Sequence, residues 1–487
     1  MVRRHRHRRR WSAGFLMHRA ASRVEVLIAH PFRAGGIGVL SLALLWIVLT
    51  KSLPYALAAI EPDVALALNP SNPAALIAKA ESLKQSLMGL ANAATEKANA
   101  GEDKDSGQDT LAGLPQAKTG EGALDPSGER GKLRRGIREL ALRAAANDPL
   151  NAPAFRLLAE VSEGAEETRM LMRQSLERSR HESIAAFWLL NDSVYRRDFA
   201  AAFKYADILL RTQPQLGTYV FAYLSLIAED PEGRGPLISE LASVPPWRKQ
   251  FFAALPPSAK NMDTPLVLMT ALEELGKPVS QAEIDPYLRL LIGKDRADLA
   301  YNAWLRFLPR PQLANVGLLT NANFESAPSG LPFDWQIGSG VNAIAEIVPL
   351  PGNSTKHALH VSLDNGRVQF PEVSQVILLG PGHYRLEGEL KGEISGKRGL
   401  RWQIRCASGA RRVLGETEML LGQSQQWRIF SLEADVSQFE ECRGQTLRLF
   451  HDSRSASEEL LHGEVWFSNL HLERISSTAH GLSDAEN

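Results

Sequence analysis

Three patterns of apolar spacing divide this chain. Between Ala34 and Thr50 the stretch AGGIGVLSLALLWIVLT runs 17 residues without a charge and stops at Lys51. From about Leu133 to Pro309 apolar residues recur three and four positions apart, the spacing of amphipathic helices. Beyond about residue 320 they alternate with polar ones, the spacing of half-buried strands. HYRLEGEL (383–390) places Tyr384, Leu386, Gly388 and Leu390 on one face, and Arg385, Glu387 and Glu389 on the other. LRWQIRC (400–406) directs Trp402, Ile404 and Cys406 inward and leaves Arg401, Gln403 and Arg405 on the opposite face. QWRIFSLEADV, QTLRLFHD and GEVWFSNLHLER read as strands too. About eight short strands with Gly and Pro turns predict a β-sandwich over 315–475.

The patterning also sets the helical boundaries. PDVALALNPSNPAALIAKAESLKQSLMGL predicts a first helical hairpin over 56–90. The segment 91–132 is Ala, Gly, Ser and charge without periodicity, which predicts a flexible low-complexity insertion. A helical domain then fills 133–310. Within it AAANDPLNAPAFRLLAEV (144–161) aligns with LERSRHESIAAFWLLND (176–192), Phe155 lying over Phe187. Inside one unit Ala202, Tyr205, Ala206 and Leu209 share a helix face. SQAE (280–283) has the form of a capping box, and Trp247 and Trp304 read as core anchors. Residues 476–487 are expected to form a disordered tail.

Charge adds direction to the first pattern. The 487-residue chain carries 55 basic and 55 acidic residues, yet residues 1–33 hold nine Arg against the single acid Glu25. Arg on one side of the apolar run and none just after it is the positive-inside asymmetry. It predicts a cytoplasmic arm (1–33), a transmembrane anchor (34–55) and everything later across the membrane. Cleavage as a signal peptide stays open, because Ala56, Leu57 and Ala58 have the small-x-small form. Next to an apolar run, RRHRHRRR reads as a topology signal rather than a nucleic-acid site. Cys406 and Cys442 fall on the exported side. An oxidising compartment would pair them, contributing about 4 kcal/mol on chain-entropy grounds; two buried free thiols are the alternative.

The period of 32–33 residues, with Pro closing one helix and small residues opening the next, resembles the tetratricopeptide repeat. That resemblance implies a curved helical solenoid, an architecture that binds other chains. NANFE (321–325), followed by a Gly/Pro turn and FDW (333–335), resembles the first strand of jelly-roll sandwiches in the carbohydrate-binding-module and galactose-binding-like group. WFSNLHL (466–472) resembles their last strand. The resemblance implies that Phe324 and Trp335 are buried plugs. It also implies that Glu325 stands where many members hold Ca²⁺. Ser468 occupies the position of the second carboxylate, and a hydroxyl is a poor Ca²⁺ ligand, so no metal is expected. Sugars stack on aromatic faces flanked by fixed polar groups. The glycan-binding candidates are therefore Arg401, Gln403, Arg405, Trp427 and Trp466.

Nucleophile-elbow, phosphate-loop, His-Glu-x-x-His and Cys-x-x-Cys patterns are absent from the sequence, so no catalytic residue and no cofactor is expected. His357 and His360 of HALH would point to opposite faces of a strand. Together these features predict a multidomain protein: transmembrane helix, tetratricopeptide-like solenoid and jelly-roll sandwich. The expected setting is a bacterial inner membrane, with the bulk of the chain in the periplasm. The expected role is a scaffold in envelope or surface-polysaccharide assembly, with protein partners on the solenoid, glycan on the sandwich and no nucleic acid. A purely structural adaptor and a glycan-modifying enzyme are the alternatives.

Overall fold

The computed structural model describes residues 31–99, 128–313, 315–437 and 442–475. Most of the basic arm, the centre of the insertion, the acidic pair Glu440–Glu441 and the tail lie outside the described residues. The chain falls into two compact units, one ending at Pro214 and the other beginning at Gln215.

In the first unit the apolar run is helical over Pro31–Ile47, passes through a π-helical turn at Val48–Ser52 and ends in Leu53–Leu57. Among the described residues Val39–Leu57 is the one helix long and apolar enough to cross a membrane. Leu40, Leu42, Leu44, Leu45 and Leu49 are exposed. Pro54 has no N–H to offer the Thr50 carbonyl four residues earlier. The Asn69 side chain donates to that carbonyl instead, at 3.2 Å. The first helices then pack on the end of this run through Ala58, Ala65 and Ala75.

The predicted hairpin and insertion are corrected at both ends. A helix runs from Pro73 past Leu90 to Asn99, and the next begins at Glu129 rather than near Leu133. Ala, Lys and Glu are strong helix formers even without an apolar stripe, so lost periodicity did not mark the helix end. The helices Ala152–Glu160, Ala165–Arg178, Ser183–Tyr195 and Phe199–Thr212 follow. Asn151 and Asp198 cap two of them, each accepting from the backbone N–H three residues on. Arg156 is buried and bonds Glu81 of the Pro73–Asn99 helix, Glu160 of its own helix and Glu182, the N-cap of the Ser183–Tyr195 helix.

The second unit opens with the helices Gly217–Glu229, Pro231–Ala242, Arg248–Ser258, Thr264–Glu274, Gln281–Gly293 and Ala297–Phe307. The Ser280 capping box is formed: the Ser280 N–H donates to Glu283 Oε2 at 2.8 Å. The same carboxylate meets Arg248 Nε at 2.9 Å, and both side chains are buried. Trp247 and Trp304 are buried.

Among the described residues ten strands, rather than eight, complete the unit: β1 (Gln336–Ile337), β2 (Ala343–Leu350), β3 (Asn353–Leu363), β4 (Val373–Ile377), β5 (Gly382–Gly396), β6 (Leu400–Cys406), β7 (Val413–Glu416), β8 (Gly422–Val436), β9 (Gln445–His451) and β10 (Leu461–Ile475). They form two antiparallel five-stranded sheets, in the orders β1-β4-β9-β6-β7 and β2-β3-β10-β5-β8. Three of the strands reach 15 residues and are not short.

A ring cluster joins the sheets. Trp402 of β6 lies 5.7 Å from Phe467 of β10 and stacks on Phe430 of β8 at 6.2 Å. Gly388 makes room for this cluster, since a Cβ there would fall 2.6 Å from the Phe430 ring.

NANFE and FDW form turns, not a first strand; β1 begins only at Gln336. Asn321 and Phe324 sit at positive φ, 51° and 58°, so the backbone coils and cannot extend. The coil is closed by Trp335 Nε1 donating to the Asn321 carbonyl at 2.9 Å. Asp334 accepts from the Ser329 and Trp335 N–H groups, both at 2.7 Å. Phe324 lies against Trp335 with ring centroids 5.2 Å apart, and both are fully buried.

The Ala297–Phe307 helix, with the turn before it, meets the sandwich within this unit. Phe333 packs on Tyr301 and Trp304 at 5.2 and 5.5 Å. Ser408 Oγ donates to Asp295 Oδ1 at 2.6 Å. Gly444 fits directly against Ala297; a Cβ on Gly444 would approach the Ala297 Cβ to 2.4 Å. Cys406 and Cys442 are joined by a disulfide beside this contact. Removing it as Cys406→Ser is expected to cost about 2–4 kcal/mol. Thermal melting of the oxidised protein and the variant checks this; equal midpoints would show that the bridge adds no stability.

Candidate functional site

Alternation along β6 brings Arg401, Gln403 and Arg405 to the outer face of the β1-β4-β9-β6-β7 sheet, while Trp402, Ile404 and Cys406 are buried. The register sets their neighbours. Phe450 lies opposite Arg401, Arg448 opposite Gln403 and Thr446 opposite Arg405. On the other side Glu416 of β7 pairs with Gln403. Among the described residues the face is therefore mainly polar, with the half-buried ring of Phe450 and the aliphatic Val376 beside Thr446.

Hydrogen bonds tie most of this field together. Arg401 Nη1 donates to Glu416 Oε1 at 2.8 Å, and Gln403 Nε2 donates to Glu416 Oε2 at 2.9 Å. Arg448 donates to Gln403 Oε1 through Nε and Nη2, at 3.0 and 2.8 Å. Its Nη1 meets Glu372 Oε2 at 2.7 Å, and its guanidinium lies 4.0 Å from the centre of the Phe450 ring. Arg405 differs. Its nearest carboxylate, Glu372 Oε1, is 3.7 Å away. Burial, then the neighbouring Arg448, hold its guanidinium below the usual arginine pKa; it stays charged nonetheless. At the margin, burial also lowers the pKa of His451, favouring the neutral ring beside the Arg398 carbonyl.

This arrangement changes what substitution on the face would do. Gln403 is 4% exposed, so it does not simply face solvent. Replacing Arg401, Gln403 and Arg405 together would also strand Glu416 and Arg448. Single substitutions are needed to separate binding from packing.

The five glycan-binding candidates do not form one cluster. Trp427 lies on β8 and Trp466 on β10, both in the other sheet. Trp427 is 37% exposed. Trp466 is half-buried, and His360 stacks on it with centroids 4.2 Å apart. His360 Nε2 in turn meets Glu464 Oε1 at 2.7 Å. Glu325 is exposed and Ser468 buried. Among the described residues no group of three or more His, Cys, Asp or Glu side chains is placed to hold a metal ion.

Sequence reasoning missed Phe450, Arg448, Glu372 and Glu416. Two of them had a signal: alternation in QTLRLFHD puts Thr446, Arg448 and Phe450 on one face. Glu372 had none, because it precedes β4 and reaches Arg448 across 76 positions.

No protein-family model matches the chain, and no curated protein matches it. Solved structures similar to part of it include a CBM4 module, at 10% identity and a TM-score of 0.24, covering 32% of this chain and 99% of that one. TmCBM61 in complex with β-1,4-galactotriose is 17% identical with a TM-score of 0.23, covering 33% of this chain and 99% of its own. A β-1,3-glucan-binding CBM6 from Bacillus halodurans is 15% identical with a TM-score of 0.18, covering 28% and 95%.

Proposed function

We propose that this protein is a membrane-anchored scaffold of cell-envelope or surface-polysaccharide assembly. Its helical region engages protein partners as a tetratricopeptide-like stack, and its sandwich binds glycan. The observation that carries the glycan reading is the half-buried Phe450 ring on a largely polar sheet face, with the Arg448 guanidinium over the ring and Arg401 and Gln403 fixed nearby. An aromatic surface with preset polar groups is what a sugar ring requires. Such contacts stay partly solvated, so the affinity belongs in roughly the micromolar to millimolar range. Phe450→Ala is expected to weaken glycan binding by about tenfold while leaving the fold intact. Glycan-array binding followed by calorimetric titration checks this; equal binding by the variant removes the face from the reading.

The anchor carries the placement. The N-terminus is assigned to the cytoplasm and the bulk of the chain to the periplasm, on the Arg asymmetry around the apolar run. Alkaline phosphatase fused at residue 310 should be active; an inactive fusion would reverse this assignment. The adaptor reading, in which the sandwich serves only as a cap, is supported by the ion pairs that engage Arg401 and Arg448 on the same face. A wild-type protein that binds no glycan on the array would favour it.

A further inference from the structure

Arg405 is out of balance with its surroundings. Its side chain is 17% exposed, so most of its surface is away from water. It makes no hydrogen bond to the described residues, and its one ion pair, to Glu372, is 3.7 Å long. Glu372 is already committed to Arg448 at 2.7 Å. Arg411, on the turn after β6, adds a second like charge that acts on Arg405. Two guanidiniums, Arg405 and Arg448, thus share one carboxylate. Elsewhere on the face each Arg has a close carboxylate partner.

A half-buried cation with free donors and like-charged neighbours is stabilised by an anion that completes its hydrogen bonds. The planar guanidinium donates two parallel bonds and suits a carboxylate in particular. Arg405 lies four residues along β6 from Arg401, whose cross-strand neighbour is Phe450. That separation is about 13 Å at the strand rise. A single sugar cannot stack on Phe450 and also reach Arg405, but a chain can do both.

We propose that the outer face of the β1-β4-β9-β6-β7 sheet selects a polyanionic sugar chain of the uronate class, with Arg405 receiving a carboxylate while the Phe450 end receives a sugar ring. This deepens the glycan reading of the same face and rests on it.

The test titrates the full-length protein in detergent with a polygalacturonate oligomer and with a neutral galactan oligomer of equal length. Inorganic phosphate serves as a free-anion control, and each titration is repeated at low and high salt. Wild-type protein should bind polygalacturonate at least tenfold more tightly than galactan, with the difference shrinking as salt screens it. Arg405→Gln should lose about tenfold for polygalacturonate and keep galactan binding unchanged. Arg405→Lys, which keeps the charge but not the paired donors, should fall between. Unchanged melting temperatures would show that the variants are folded. Equal polygalacturonate binding by Arg405→Gln, or no preference over galactan in the wild type, overturns the anion assignment and leaves the glycan reading standing. Phosphate binding as tightly as the oligomer overturns the chain requirement. Binding of neither glycan overturns the glycan reading, and this inference with it.

Discussion

Trp402→Ala should destabilise the second unit by about 3–5 kcal/mol, the cost of emptying a large buried aromatic site. Trp402 is fully buried and packs against Phe430 and Phe467 of the opposite sheet and against Trp335, 5.9 Å away, from the turn before β1. Removing the indole takes away contacts that no single neighbour can replace, because interiors relax only partly around a void. For a unit of this size the melting midpoint should fall by roughly 10 °C. Trp402→Phe should lose less, since it keeps a ring between the sheets. Differential scanning calorimetry reads both variants. A loss below about 1 kcal/mol for the alanine variant would show that the cluster does not hold the sheets together.

Glu283→Ala should have an effect of similar size through a different cause. Arg248 is 4% exposed at its side chain, and Glu283 is the carboxylate beside it. Deleting the acid leaves a buried guanidinium without its counter-charge, which costs about 3–5 kcal/mol. The Ser280 N–H and hydroxyl lose their acceptor as well, so the helix cap opens in the same variant. The sign can be separated from the cap. Glu283→Leu combined with Arg248→Met should recover much of the loss, because neither charge is then buried alone. Denaturant unfolding of the single and double variants decides it. A double variant no more stable than Glu283→Ala would place the effect in the cap.

The local patterning of the sandwich was readable residue by residue. Alternation placed Tyr384, Leu386, Trp402 and Ile404 inside correctly, but Gln403, expected on the outer face, is buried as well. What stayed hidden depends on chain geometry that alternation cannot express. A register shift between Leu390 and Gly392 interrupts the pairing of β5 with β8 beside Trp427, an irregularity that local alternation does not reveal. The left-handed backbone at Asn321 and Phe324 turned a stretch that reads as extended into a coil. The face around Arg405 draws Glu372, Arg448 and Glu416 from three other parts of the chain. Strand pairing brings these charges together, and pairing partners are not written in any one segment. In the helical half, the end of the Pro73–Asn99 helix was missed because propensity outlasted periodicity.

The contact between the Ala297–Phe307 helix and the sandwich has a mechanical consequence. Asp295, Ala297, Tyr301 and Trp304 grip Ser408, Gly444 and Phe333, and the disulfide cross-links the sandwich end that they hold. A load pulling on the outer sheet face, such as a tethered polymer under tension, would pass through this bolted end into the Ala297–Phe307 helix. Such a load would be carried by the close fit of Gly444 on Ala297 and by the rings around Phe333, and not by the connecting chain alone.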